Sequence, residues 1–188
     1  DAVRLEPRIV VHKPLLKNLK FQATAEIKNQ IISEIDETIL SDLTLENRVW
    51  RLADGNRFPI INSQQISAGF IYTKKGVSID VDTYYKKVKN ITALSLGFLN
   101  PENNNFNIGH QNVIGIDAFF QKQFNGFNSW VSYSINNATS SFENLNNGTN
   151  FTSKSNVTHC VSTAISYKLD GFQFALGWKW QTGKPYTI

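Results

Sequence analysis

Residues 161–180 constrain the fold more than any other part of the chain. Val161, Ile165 and Tyr167, with Thr163 among them, alternate with Ser162, Ala164, Ser166 and Lys168. Asp170-Gly171 then supplies a tight-turn dipeptide. Beyond it Phe172, Phe174, Leu176, Trp178 and Trp180 alternate with Gln173, Ala175, Gly177, Lys179 and Gln181. A period of two is strand periodicity, because successive side chains leave a strand on opposite sides. One face of this hairpin is therefore large and oily, and the other is polar or very small.

Such a face needs an apolar neighbour. A second sheet packed over it would supply one, and so would a membrane. A membrane barrel turns the oily face to lipid and keeps polar and small residues in the lumen. The remaining hairpins favour the barrel. Leu19, Phe21, Ala23, Ala25 and Ile27 alternate with Lys20, Gln22, Thr24, Glu26 and Lys28. Residues 64–73 and 77–86 read as a strand pair around Lys74-Lys75-Gly76, and residues 111–122 and 128–136 as another around Asn125-Gly126. A short strand over residues 6–12 is expected to end at Pro14, with a turn at Leu16-Lys17-Asn18. Between the hairpins, residues 32–63, 90–110 and 140–156 lack strand alternation and read as long loops, the first with a short strand near 48–53. Short turns thus fall at one end of the strands and long loops at the other, as in outer-membrane barrels. A sandwich usually has shorter strands and no such segregation.

Composition agrees. Aromatics reach 12% while charged residues are only 18%, and the net charge of +4 includes no basic run that would suggest nucleic acid. No apolar stretch is long enough for a membrane-spanning helix. The single cysteine, Cys160, excludes an internal disulfide and a thiolate metal cluster. With no methionine and an opening at Asp1, the 188 residues are expected to be part of a longer polypeptide. The expected fold class is all-β: an antiparallel up-and-down transmembrane β-barrel segment of about eight meandering strands, read as a single unit over residues 1–188.

Three segments carry a family resemblance: QQISAGFIYTKKGVSIDVDTYYKKVKNIT (64–92), GIDAFFQKQFNGFNSWVSYSINNAT (115–139) and LGWKWQTGKPYT (176–187), with LEPRIVV (5–11) consistent. Their order and spacing resemble the C-terminal part of the barrel of a TonB-dependent outer-membrane receptor of the Bacteroidetes type. The resemblance implies a barrel of about 22 strands around a plug. It implies import of a scarce nutrient (iron chelate, glycan, peptide or cobalamin) with energy delivered from an inner-membrane complex through the plug. The plug and the TonB-contacting segment are absent from these residues, so no transport residue carries over. The implied surroundings are outer-membrane lipid. The resemblance leaves open whether such a receptor works alone, with a surface lipoprotein lid, or within a larger outer-membrane assembly. Two other readings stand beside it: a complete eight-stranded structural or adhesive outer-membrane barrel, and a secreted β-sandwich that binds carbohydrate.

Site chemistry is expected to be that of binding rather than catalysis. Asp80, Asp82, Lys86 and Asp117 share the polar face, where they would be costly in a dry core and natural in a wet lumen. Ile79, Val81, Ile116, Phe174 and Leu176 are expected on the opposite side. His12, His110 and His159 lack metal-ligand spacing, and no Gly-x-Ser-x-Gly elbow occurs. No catalytic centre, metal or cofactor is expected. The Asn-x-Thr triplets at Asn90, Asn137, Asn147, Asn150 and Asn156 follow from an Asn- and Thr-rich composition. On the loops, Trp50, Arg51, Phe98, Phe106, Phe142 and Phe151 are the ligand-contact candidates.

Overall fold

Alternating side chains and tight-turn dipeptides give an almost wholly antiparallel β structure, here a computed structural model that describes residues 3–37, 47–55, 58–96, 104–143 and 146–185. The strands are β1 (Arg8–Leu16), β2 (Leu19–Gln30), β3 (Ile32–Glu37), β4 (Asn47–Leu52), β5 (Ile61–Lys74), β6 (Val77–Leu96), β7 (Asn104–Phe124), β8 (Phe127–Phe142), β9 (Phe151–Thr152), β10 (His159–Leu169) and β11 (Phe172–Gln181). One sheet runs in the order β1-β2-β5-β6-β7-β8-β10-β11, with the two-residue β9 added to β8. The β3–β4 hairpin forms a separate two-stranded sheet. The result is an up-and-down meander in which every pairing is antiparallel. Among the described residues the edge strands β1 and β11 are each paired on one side only.

The four short turns lie where the dipeptides place them. Lys75 and Gly76 have φ of 47° and 74°, and Asn125 and Gly126 have 42° and 76°. Two consecutive left-handed residues make the turn whose twist matches that of the flanking strands.

The three long loops are shorter than expected. Residues 32–63 contain β3 and β4, paired from Ile32–Leu52 to Glu37–Asn47, and β5 already begins at Ile61. Residues 90–110 are mostly strand, because β6 continues to Leu96 and β7 begins at Asn104. The ladder persists there, but a register shift between Lys89 and Ile91, with Asn90 at φ 64°, puts the two halves of β6 out of phase. Residues 140–156 hold the end of β8, a 3-10 turn at Asn146–Gly148 and β9. The first strand does not end at Pro14 either. β1 passes through it to Leu16, with a register irregularity between Pro14 and Leu16 of the kind at which a strand accommodates proline.

Burial is unusual. Among the described residues, Ala138 and Phe142 are the only buried apolar side chains. Along β6 the apolar Ile79, Val81 and Tyr85 are exposed, whereas Asp80, Asp82, Tyr84 and Lys86 between them are half-buried. A water-soluble sheet shows the opposite order.

Candidate functional site

The sheet's two faces are each continuous across the strands. Register rows align Leu16, Leu19, Tyr72, Ile79, Phe120, Val131, Thr163 and Trp178 on the apolar face. The β1–β2 hairpin closes at this row. The β5–β6 hairpin closes two residues further, at Lys74–Val77, and the β7–β8 hairpin two further still, at Phe124–Phe127. The β10–β11 hairpin closes two beyond that, at Leu169–Phe172. Each hairpin thus advances about 6.8 Å along the strands for every 9.6 Å or so across them. If the four turns share a plane, the strands lean about 35° from its normal.

The far edge of the apolar face steps in the same sense. Counting from each turn, the apolar-face positions occupy 19–27, 66–74, 77–85, 127–135, 161–169 and 172–180, nine residues each, and 114–124 on β7, eleven. The next residues on that face are Asn29, Gln64, Lys87, Asn112, Asn137, His159 and Thr182. The belt is therefore of nearly constant height although its edges cross the register obliquely. Nine residues at that lean stand about 22 Å tall, and eleven about 28 Å. Four aromatics, Phe124, Phe127, Tyr167 and Phe174, form one register row near the turns. Lys13 and Lys122 lie one apolar-face row inside the turn end of their hairpins, within reach of the belt's edge.

The polar face carries the carboxylates. Gln22, Gly69, Asp82, Asp117, Ser134, Cys160 and Gln181 fall in one register row. Gln22 Nε2 donates to Asp82 Oδ2 at 2.7 Å and to Asp80 Oδ1 at 3.2 Å. That bond spans two strands and passes over Gly69, where a Cβ would run into the Asp82 carboxylate and the Val81 carbonyl. The Tyr84 ring lies over Gly115 in the same way, 2.6 Å from where a Cβ would sit. Phe119, the register partner of Asp80, stacks diagonally on Trp130 at 6.1 Å. Lys86 shares the face but neutralises none of the three carboxylates, since the ion pairs among the described residues are Arg8–Glu26 and Lys28–Glu26. Asp82 Oδ1 has no protein partner among the described residues. That oxygen is closed off against Gly69, while the exposed Asp117 meets solvent, which an unpaired carboxylate needs.

No protein-family model matches the chain, and no curated protein does.

Of the loop candidates, the structure brings together Phe142 and Phe151, whose rings stack at 6.1 Å. Phe142 is buried against Gly109, where a Cβ would collide with its ring, so it serves packing rather than open contact. Trp50 and Arg51 lie on β4 and are exposed, with Trp50 lining a shallow cavity beside residues 29–32. Phe106 is on β7, and Phe98 lies outside the described residues. The segment after β8 folds back onto it: Ser153 N donates to Ala138 O, Ala138 N to Asn156 Oδ1, and Gln111 Nε2 to Ser153 Oγ. His159 Nδ1 is 2.9 Å from the Tyr133 hydroxyl. Among the described residues no group of His, Cys, Asp and Glu could hold a metal. Sequence reading passed over Gln22, Gly69 and Tyr84. The available signal was register: once β2, β5 and β6 are aligned, a glycine between a glutamine and an aspartate marks a bridge.

Proposed function

We propose that this chain is a stretch of the wall of an outer-membrane β-barrel belonging to a nutrient receptor of the TonB-dependent type. The belt carries this reading. Nine to eleven residues per strand, leaning about 35°, match the strand length and the tilt of roughly 35–45° that a bilayer of about 25 Å apolar height requires. The polar face is then the lumen side of a curved sheet, where side chains converge and shade one another, and the apolar face is the lipid side, where they splay. The unpaired edges of β1 and β11 favour a segment of a wider barrel over a closed barrel of eight strands. Among the described residues no sheet of comparable size faces the large one, which favours a membrane wall over a carbohydrate-binding sandwich.

In this reading Asp80, Asp82, Asp117 and Gln22 line a wet channel, and their hydrogen bonds tie β2 to β6. The strands beyond Lys87, Asn112 and Asn137 stand outside the membrane and carry the ligand-facing loops. The segment supplies channel wall and outer rim to import, driven from the inner membrane through a plug, and has no catalytic centre.

Cysteine labelling in cells tests the location. On a Cys160→Ser background of the full-length protein, cysteines at Ile66, Val81 and Ile116 should resist a membrane-impermeant maleimide, and cysteines at Lys89 and Ser155 should react. Labelling of Val81 and Ile116 as fast as Lys89 would overturn the wall assignment. Uptake is tested separately, by growth on limiting iron chelates, cobalamin, glycans or peptides after deletion of the gene. Unchanged growth on all of them would overturn the receptor assignment.

A further inference from the structure

Two cavities adjoin at the upper edge of the belt, the lower one across β1, β2, β5 and β6 and the upper one across β6, β7 and the end of β8, and they share one side chain, Lys87. The lower cavity, about 420 Å³, lies among Ile9, Ile27, Ile66 and Tyr85, at the last apolar positions before the belt ends. The upper cavity, about 350 Å³, is lined by Lys87, Lys89, Asn90, His110 and Glu143. Lys87 and Lys89 are two apart on one face of β6, about 7 Å along the strand. Lys89 pairs in register with His110 on β7. Among the described residues neither lysine is in an ion pair, and Glu26, the acid nearest in the lower cavity, already holds Arg8 and Lys28.

We infer that this is a binding site for one anionic lipid, with an acyl chain in the apolar groove and a phosphate on Lys87 and Lys89. The inference rests on the wall reading, because it needs the groove to face lipid. Charge complementarity selects the occupant. An apolar slot whose open end meets two uncompensated ammonium groups fits an amphiphile with a phosphorylated head, and fits neither a neutral lipid nor a free anion as well. The bulge at Asn90 helps shape the upper cavity. It turns β6 just above the lysines, while the Asn90 side chain donates to the Ile60 carbonyl at 3.0 Å and fixes the bend. His110 adds a third donor beside the phosphate position. Glu143 opposes the site on one side and would disfavour a highly charged head crowding it.

The test uses the full-length protein folded in neutral detergent and titrated by native mass spectrometry with three probes: a phosphatidic acid, the matching diacylglycerol, and inorganic phosphate. Phosphatidic acid should bind more tightly than either other probe, and the K87Q/K89Q double variant should weaken it about thirty-fold, as two surface lysines at about 1 kcal/mol each imply. Ile66→Trp, which fills the groove, should weaken phosphatidic acid about five-fold, as loss of buried acyl surface implies, without altering the response to phosphate. Equal binding in wild type and K87Q/K89Q overturns the site. Phosphate alone binding as tightly as the lipid overturns the lipid assignment, and so does diacylglycerol binding as well as phosphatidic acid. Insertion of each variant into vesicles is measured in parallel. Normal insertion with lysine-independent lipid binding sinks this inference alone, whereas failure of the wild type to insert sinks the wall reading itself.

Discussion

The belt and the cap beyond it are stabilised in opposite ways. In the belt, residues such as Ile114, Leu176 and Trp178 remain exposed on the large sheet, and in the wall reading the ordering force comes from lipid outside the chain. In the cap, where residues 146–158 fold onto the ends of β7 and β8, Ala138, Ser140, Ser141, Phe142, Ser153 and Asn156 are all buried. There the chain satisfies itself, largely through hydrogen bonds of small polar side chains. In the wall reading the protein lives in two solvents and solves burial separately in each. Oil makes an internal core unnecessary, while water requires that protruding strands be closed over by their own loops.

The sharpest way to break this contrast is a charge on either side of one strand. Val131 and Ser132 are adjacent on β8, near the middle of its belt, and face opposite ways. Val131→Arg should lose about 2–4 kcal/mol of folding stability in vesicles by urea titration, and Ser132→Arg far less. Equal losses would mean that lipid does not lie on the Val131 side. Next in size, Gly115→Val should cost about 1–3 kcal/mol, because Tyr84 must leave its seat, while Tyr84→Ala in the same background should recover part of the loss. In the cap, Asn156→Ala should cost about 1–2 kcal/mol by stranding the Ala138 amide, seen as faster hydrogen exchange there with vesicle insertion unchanged. Slower insertion in that variant would show that cap and belt fold as one unit. The smallest effect belongs to the lumen bridge. Gln22→Ala should cost about 0.5–1 kcal/mol, since water replaces the lost donor, and a double-mutant cycle with Asp82→Ala should show a coupling of similar size.

Much of the fold was legible in the sequence because a belt that is apolar on one face only writes period two into the chain. The four turns and the strands between them follow from that pattern with Asp-Gly, Asn-Gly and Lys-Gly dipeptides. The signal stops where the belt stops. Residues 90–96 and 104–110 are paired strand, yet the bulge at Asn90 breaks the phase carried up from the belt. β3 escaped for a related reason: its isoleucines, Ile32 and Ile35, are three apart and mark no face. The polar face was legible as a set of acids but not as an arrangement. Bringing Gln22 within reach of Asp80 and Asp82 depends on pairing partners some sixty positions apart in the chain, which no local pattern states. Deleting residues 140–156 would remove the end of β8 and the seat of Asn156 together, so Asn156→Ala separates the cap from the wall more cleanly.

The two-residue advance of each hairpin also says how such a wall can grow. Two residues for every two strands is a shear of one per strand, so a closed barrel following the same rule would have a shear number equal to its strand number. Tilt then stays constant while circumference rises with each added hairpin. Duplicating a hairpin such as β10–β11 would widen the cylinder by a fixed increment and leave every neighbour's register and slope as it was. In the wall reading, a lineage of such barrels could change bore in steps of two strands without redesigning the strands it already has.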